Sequence, residues 1–266
     1  MENFISNSSI LFVFAGALAG LMAGLLGIGG GLVLVPALIF IFSHSQVIPS
    51  DLVMHMAAGT TLASMIFSAF SSVKAHAKRG RILWPVYRSL APGIVLGIIM
   101  GAILADCLPT QILKTLFGIM LLLIVIKMLI PLGIRKARFP KRWIHRVVSF
   151  FIGLKSGLLG IGGGAVIIPY LTYCGVNMRK TAAISSVCSL TVAVVGCLVY
   201  CFTGFGEQGL PAYSIGYVYW PAALVIALFS SLFAPIGARL TYALPLRQLK
   251  RAFILFLLVT AVHLLI

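Results

Sequence analysis

An eight-residue stretch, Gly24-Leu-Leu-Gly-Ile-Gly-Gly-Gly31, lies in the middle of an apolar run and recurs letter for letter at Gly157–Gly164. Five of its eight residues are glycine, and each glycine weakens a helix interior by roughly 1 kcal/mol relative to alanine. A chain that repeats such a stretch inside apolar sequence is organised around two deliberate interruptions. As one straight helix, the run Ile10–Phe42 around the first copy would be about 50 Å long, against a bilayer core of about 30 Å. It must turn back on itself. The pattern predicts two helical segments meeting in a glycine turn, with Pro36 inside the second.

The bilayer enters because only 9% of the 266 residues are charged and 61% are hydrophobic, whereas roughly a quarter of a soluble domain is charged. Apolar runs such as Ser89–Ala105, Ile112–Ile126 with the single charge Lys114, and Thr181–Phe205 suit membrane-crossing helices. The short alternating segments of an outer-membrane barrel are missing. Met1–Ser9 contains no basic residue, so the N-terminal segment reads as part of the fold rather than a cleaved signal. The net charge of +16 sits in short loops beside apolar spans, which points to anionic lipid and not to nucleic acid. The five cysteines form no CxxC and no ligand-like grouping with histidine, so no disulfide framework, metal site or cofactor is implied. Cys197 and Cys201 share a helix face and read as apolar packing.

Spans are expected near Val53–Val73, Trp84–Ala105 and Thr110–Leu132, then a basic loop with Arg135, Lys136, Arg138, Lys141, Arg142 and Arg146. Gly93, Gly97 and Gly101 make a small-residue face on the second of these, suited to close approach by a neighbouring helix. After the basic loop the pattern recurs: a broken element Val147–Tyr173, then spans at Thr181–Phe202, Tyr217–Leu240 and from Leu249 onward. Gly20–Phe40 matches Gly153–Tyr173 at a constant offset of 133, with Pro36 on Pro169. Trp84-Pro85 matches Trp220-Pro221, and Ala57–Thr61 pairs more loosely with Ala182–Ser186. The division is therefore a first repeat over 1–134, a basic linker over 135–146 and a second repeat over 147–266, together one domain.

The loop charges set the relative orientation of the repeats. The loop after Val53–Val73 is basic, whereas its partner, Thr203–Gly216, holds no basic residue; the loop after the next span reverses this, with Arg239, Arg247, Lys250 and Arg251 in the second half. Basic loops mark the cytoplasm, so the halves should be inverted. Inversion needs an odd number of crossings in each half. The expected fold is an all-α membrane protein of two inverted repeats, each a glycine-broken re-entrant helical hairpin plus three transmembrane helices.

Irregular backbone at membrane depth persists only where protein or a water-filled cavity covers it. Two inverted hairpins would bring Gly27, Gly29, Gly30 and Gly31 to face Gly160, Gly162, Gly163 and Gly164 near the midplane. Each glycine loop precedes a helix N-terminus with free N–H donors, an arrangement suited to an anion. Neither copy has the GxGxxG spacing or a following Lys-Ser/Thr, which excludes a nucleotide loop. Hydroxyls at Thr60, Thr61 and Ser64, and at Ser185, Ser186 and Ser189, could complete the shell; the alternative is helix–helix bonding. Lys155, where the first copy has Met22, is an ionisable group inside the second hairpin and a substrate-contact candidate, with snorkelling as its alternative. Lys127 and Arg88 read as snorkelling anchors, and His55 as structural. The four carboxylates, Glu2, Asp51, Asp106 and Glu207, all lie outside mid-span, which argues against carboxylate-based ion coupling. No acid/base pair or nucleophile–histidine grouping suggests an enzyme.

The twin Gly-Leu-Leu-Gly-Ile-Gly-Gly-Gly copies, each followed by an apolar stretch with Pro36 or Pro169, and the Ala57–Thr61 segment resemble the sulfite exporter TauE/SafE family of membrane permeases over the whole chain. The resemblance implies transport of sulfur-containing anions such as sulfite or organosulfonates. The expected role is an inner-membrane carrier or uniporter working by export. An anion channel, or an uptake permease for another small organic anion, is the alternative. The implied partners are a small anionic substrate and membrane lipid, with a homodimer left open.

Overall fold

In the computed structural model the described residues are 2–26, 30–44, 48–78, 82–129, 142–243 and 246–265. Gly27 and Gly29, and the basic linker up to Lys141, lie outside them. The first half comprises α1 (Glu2–Leu26), α2 (Gly31–Ser43), α3 (Val53–Ala77, after a 3-10 turn at Ser50–Leu52), α4 (Trp84–Asp106) and α5 (Thr110–Leu129). The second comprises α6 (Arg142–Leu159), α7 (Gly164–Tyr173), α8 (Met178–Thr203), α9 (Trp220–Ala243) and α10 (Leu246–Leu265). Between α8 and α9 a small hairpin pairs β1 (Ser214–Ile215) with β2 (Val218–Tyr219). That hairpin is an addition to the all-helical expectation. Helix α6 also includes Arg142 and Arg146 of the basic segment.

Among the described residues, five helical segments are long and apolar enough to cross a membrane: Ser50–Ala77, Trp84–Asp106, Thr110–Leu129, Lys180–Thr203 and Trp220–Gly237. The chain is a multi-pass helical membrane protein. Helix α10 carries the apolar stretch Phe253–Leu265, preceded along the helix by Arg247, Lys250 and Arg251.

Each broken element folds back on itself. Gly30 lies against Ala19, while at the far end the Phe12 and Phe42 rings are 6.3 Å apart, so α1 and α2 are antiparallel. Gly163 likewise lies against Ile152, and the Tyr170 hydroxyl shares a 3.0 Å hydrogen bond with His145 Nδ1. The pairs Ala19–Gly30 and Ile152–Gly163 are separated by the same 133-residue offset as the sequence copies.

The halves then interlock. Gly93, Gly97 and Gly101 of α4 meet successively Arg146–Phe150, Phe150–Leu154 and Leu154 of α6, so these two helices run parallel. A methyl group at any of the three glycines would overlap α6 atoms, which is the close approach that a small-residue face permits. The exchanged pair, α1 on α9, is also parallel: Gly16 meets Ile226 and Phe229, Gly20 meets Ser230, and Gly237 meets Leu21. Helices α3 and α8 cross the centre in opposite directions, with Gly59 beside Tyr200 and Leu62 beside Gly196. Every residue of α3 from Val53 to Met65 is buried.

Candidate functional site

Gly30–Gly31 of the first glycine stretch and Gly160–Gly164 of the second converge where α3 and α8 cross. Helices α2 and α7 begin at matched caps: Gly30 has φ −71° and ψ −13°, Gly163 has φ −61° and ψ −11°. Neither cap offers a side-chain hydrogen bond to the first turn, so the leading N–H groups lack the usual capping oxygen. Gly160 has φ +67°, a left-handed conformation that glycine adopts without strain, and it ends α6 directly against Ala58. Gly31 abuts the second loop: a methyl group added there would lie 3.2 Å from the Gly162 nitrogen and 3.2 Å from the Ile161 α-carbon. The positive ends of two helix dipoles therefore share one small volume.

The surrounding side chains come from one stripe on α3 and one on α8. Ala58, Thr61 and Met65 recur at helical spacing along one face of α3; Ala58 packs on Gly160, and Met65 reaches both Gly31 and Gly162. The Met65 sulfur would be 3.1 Å from a methyl on Gly31, and its terminal methyl occupies the space a side chain on Gly162 would need. Thr61 is fully buried, and its Oγ1 has no hydrogen-bond partner among the described residues. From α8, Ser189 Oγ would be 3.5 Å from a methyl on Gly162, and Ser185 is buried one turn earlier.

The remaining sequence candidates divide. Thr60 Oγ1 accepts a 3.1 Å hydrogen bond from the Tyr219 N–H of the β-hairpin. Ser64 Oγ donates to the Thr61 carbonyl at 2.8 Å, and the half-buried Ser186 donates to the Ala183 carbonyl at 2.9 Å. Lys155 is placed elsewhere, lining a groove between α5 and α6. Its position follows from helix geometry: it is two residues from both Gly153 and Gly157, which face α4, and so points away from them. Met65 was not marked by the sequence, since its counterpart in the second half is Leu190, one apolar residue against another, and no repeated pattern singles it out.

The β-hairpin covers one end of the α3–α8 crossing. Its Tyr217 N–H donates to the Tyr200 carbonyl at 3.1 Å, and the Tyr217 hydroxyl donates to Asp106 Oδ1 at 2.8 Å. Tyr200 in turn donates to the Gly157 carbonyl at 2.8 Å, which connects this cover to the start of the second glycine motif. His55 Nε2 donates to the Ala105 carbonyl at 2.9 Å, and its ring packs 5.2 Å from that of Tyr217. The hydroxyl of Thr110 donates to the Asp51 carbonyl. His55 thus helps to hold the start of α3 on the end of α4.

Comparison with known proteins agrees with this architecture. The family model for the sulfite exporter TauE/SafE matches residues 12–264. A probable membrane transporter protein of Haemophilus influenzae is 35% identical over 258 residues, covering 96% of this chain and 97% of the relative. A probable membrane transporter protein of Methanocaldococcus jannaschii is 34% identical over 223 residues, covering 82% and 80%. At greater distance, the probable membrane transporter protein YdhB of Bacillus subtilis is 26% identical over 254 residues, covering 92% and 96%. No solved structure matches. With nearly its full length matched, the chain belongs to the sulfite exporter TauE/SafE family of membrane transporters.

Proposed function

We propose that this transporter is an inner-membrane carrier for small sulfur-containing anions, sulfite or an organosulfonate, acting in export from a midplane site between two inverted repeats. The observation that carries the reading is the meeting of Gly31 and Gly162 beside two helix starts that have no side-chain cap, on the α3 face that also holds Thr61, whose buried hydroxyl has no partner among the described residues. Backbone N–H groups of Gly30, Gly31, Gly162, Gly163 and Gly164 would hold the anion, with Thr61 and Ser189 as side-chain donors. Gly27 and Gly29 join this set by the sequence repeat, Gly160 would shape the turn that ends α6, and Thr60, Ser64, Ser185 and Ser186 would brace the two central helices.

Inversion is supported by the antiparallel crossing of α3 and α8, which the sequence repeat makes counterparts. It is supported equally by the two folded-back hairpins, each followed by three further helices, and by the exchange of basic loops between halves. The hairpins would then be re-entrant from opposite faces. Met65, wedged between the glycine tips, favours a gated carrier over an open pore. An inside-negative potential contributes about 2.3 kcal/mol per charge per 100 mV toward anion efflux.

Proteoliposomes loaded with sulfite or sulfoacetate test this directly. Saturable efflux stimulated by the same anion on the opposite side is the expected result. Non-saturating flux without trans-stimulation would make the protein a channel, and no flux of either anion would remove the substrate assignment.

A further inference from the structure

Helices α5 and α6 touch only sparsely, and between them lies a cavity of about 260 Å³ open to the outer surface of the bundle. Its walls are Leu116, Ile119, Leu123, Phe151 and Leu158, with the stem of Lys155 among them. Three of these, Ile119, Leu123 and Phe151, are strongly exposed at the bundle surface, where the membrane would lie against them. The ammonium of Lys155 is fully covered and has no hydrogen-bond partner among the described residues. Neither helix carries a carboxylate, and the charged neighbour that acts on Lys155 is another cation, Lys127 on α5.

An ammonium withdrawn from water without a counter-charge costs more than apolar contacts on its stem return. The fold does not require it, because the first half puts Met22 at the corresponding place. A residue kept there against that cost needs an anion from outside the chain. The apolar walls and the opening toward lipid describe an anion with a hydrocarbon body. Depth agrees with this. Lys155 lies nine residues, about 13 Å, past Arg146 along α6, and a helical side chain leans back toward its N-terminus, here toward Arg146 and the basic segment. Lys127, on α5, is close enough to act on Lys155 electrostatically.

We propose that the α5–α6 groove binds one acidic phospholipid, whose phosphate pairs with Lys155 and Lys127 while an acyl chain lies along Leu116, Ile119 and Leu123. The site is separate from the glycine junction and does not depend on which anion is transported. The pairing requires one rotation of the lysine stem, which already lines the groove.

The test uses the full-length protein in detergent, with thermal unfolding followed during titration with phosphatidylglycerol, phosphatidylethanolamine or glycerol 3-phosphate. Phosphatidylglycerol should stabilise the wild type saturably, and Lys155→Met should need about tenfold more of it, the loss of one charge-assisted contact. Phosphatidylethanolamine should produce no comparable saturation, and glycerol 3-phosphate none, since it has no chain for the groove. Lys155→Met copies the first half's residue and should fold at least as well as the wild type. Leu123→Trp keeps the charge but fills the groove, and should weaken phosphatidylglycerol binding too. Equal phosphatidylglycerol midpoints for wild type and Lys155→Met, or wild-type binding by Leu123→Trp, would overturn the proposal. So would saturation by phosphatidylethanolamine or glycerol 3-phosphate at the same concentration.

Discussion

Gly31 and Gly162, more than a hundred residues apart in the chain, are backbone neighbours: a methyl group on the first would sit 3.2 Å from the nitrogen of the second. Met65 closes the third side of this contact. Its flexible thioether occupies the volume that Gly162 leaves vacant. Gly162→Ala should therefore cost about 1–3 kcal/mol by overpacking and suppress anion flux. Met65→Ala in the same chain should recover most of the stability, because the residues compete for one space. Thermal unfolding and proteoliposome flux of the two single variants and the double variant check this; strictly additive effects would show that they do not share that space.

Thr60 and Thr61 are adjacent in sequence but have opposite duties. The hydroxyl of Thr60 accepts from the Tyr219 N–H, and Thr60→Val would strand that buried donor at a cost of about 1–3 kcal/mol. Thr61 has a buried hydroxyl with no partner, so Thr61→Val should leave stability unchanged or raise it. Its effect should fall on the substrate half-saturation concentration, which should rise several-fold. A Thr61→Val protein with wild-type transport and raised stability would remove Thr61 from the site.

The β-hairpin cover depends on Tyr217. Burial, reinforced by the hydrogen bond to Asp106, pushes its hydroxyl well above the ordinary tyrosine range. The folded value thus exceeds the unfolded one, so the contribution is fully present below about pH 10 and is lost as pH rises through the folded value. Tyr217→Phe should be less stable than wild type by about 1–2 kcal/mol at neutral pH. The difference should narrow in strongly alkaline solution. Melting curves of both proteins across the alkaline range test the sign, and a gap independent of pH would contradict it.

How far the sequence reveals this molecule depends on whether a feature is local. The breaks at the two glycine stretches, the close face of Gly93, Gly97 and Gly101, and the helical spans all follow from short-range composition and spacing. The β-hairpin does not: Ser214–Tyr219 forms two-residue strands, too short for a periodic signal, and its bond to Thr60 is purely tertiary. Met65 is equally silent, since an apolar residue in an apolar helix carries no mark of what it touches. Lys155 was legible in part. Its helical phase relative to Gly153 and Gly157 already directs it away from α4, but only the placement of α5 gives it a groove to line.

The inverted arrangement can be tested at two positions that the repeat makes equivalent. His44 follows α2 and Asn177 follows Cys174 at the end of α7; both are exposed and differ by the 133-residue offset. If the repeats had the same orientation, cysteines at these places would emerge on the same membrane face. The inverted arrangement proposed from the antiparallel crossing of α3 and α8 and the reversed loop charges would put them on opposite faces. With the exposed Cys107 replaced by serine, a membrane-impermeant maleimide applied to intact cells should label His44→Cys and leave Asn177→Cys unmodified until the membrane is permeabilised. Labelling of both from outside would refute the inversion and, with it, the opposed hairpins on which the anion site rests.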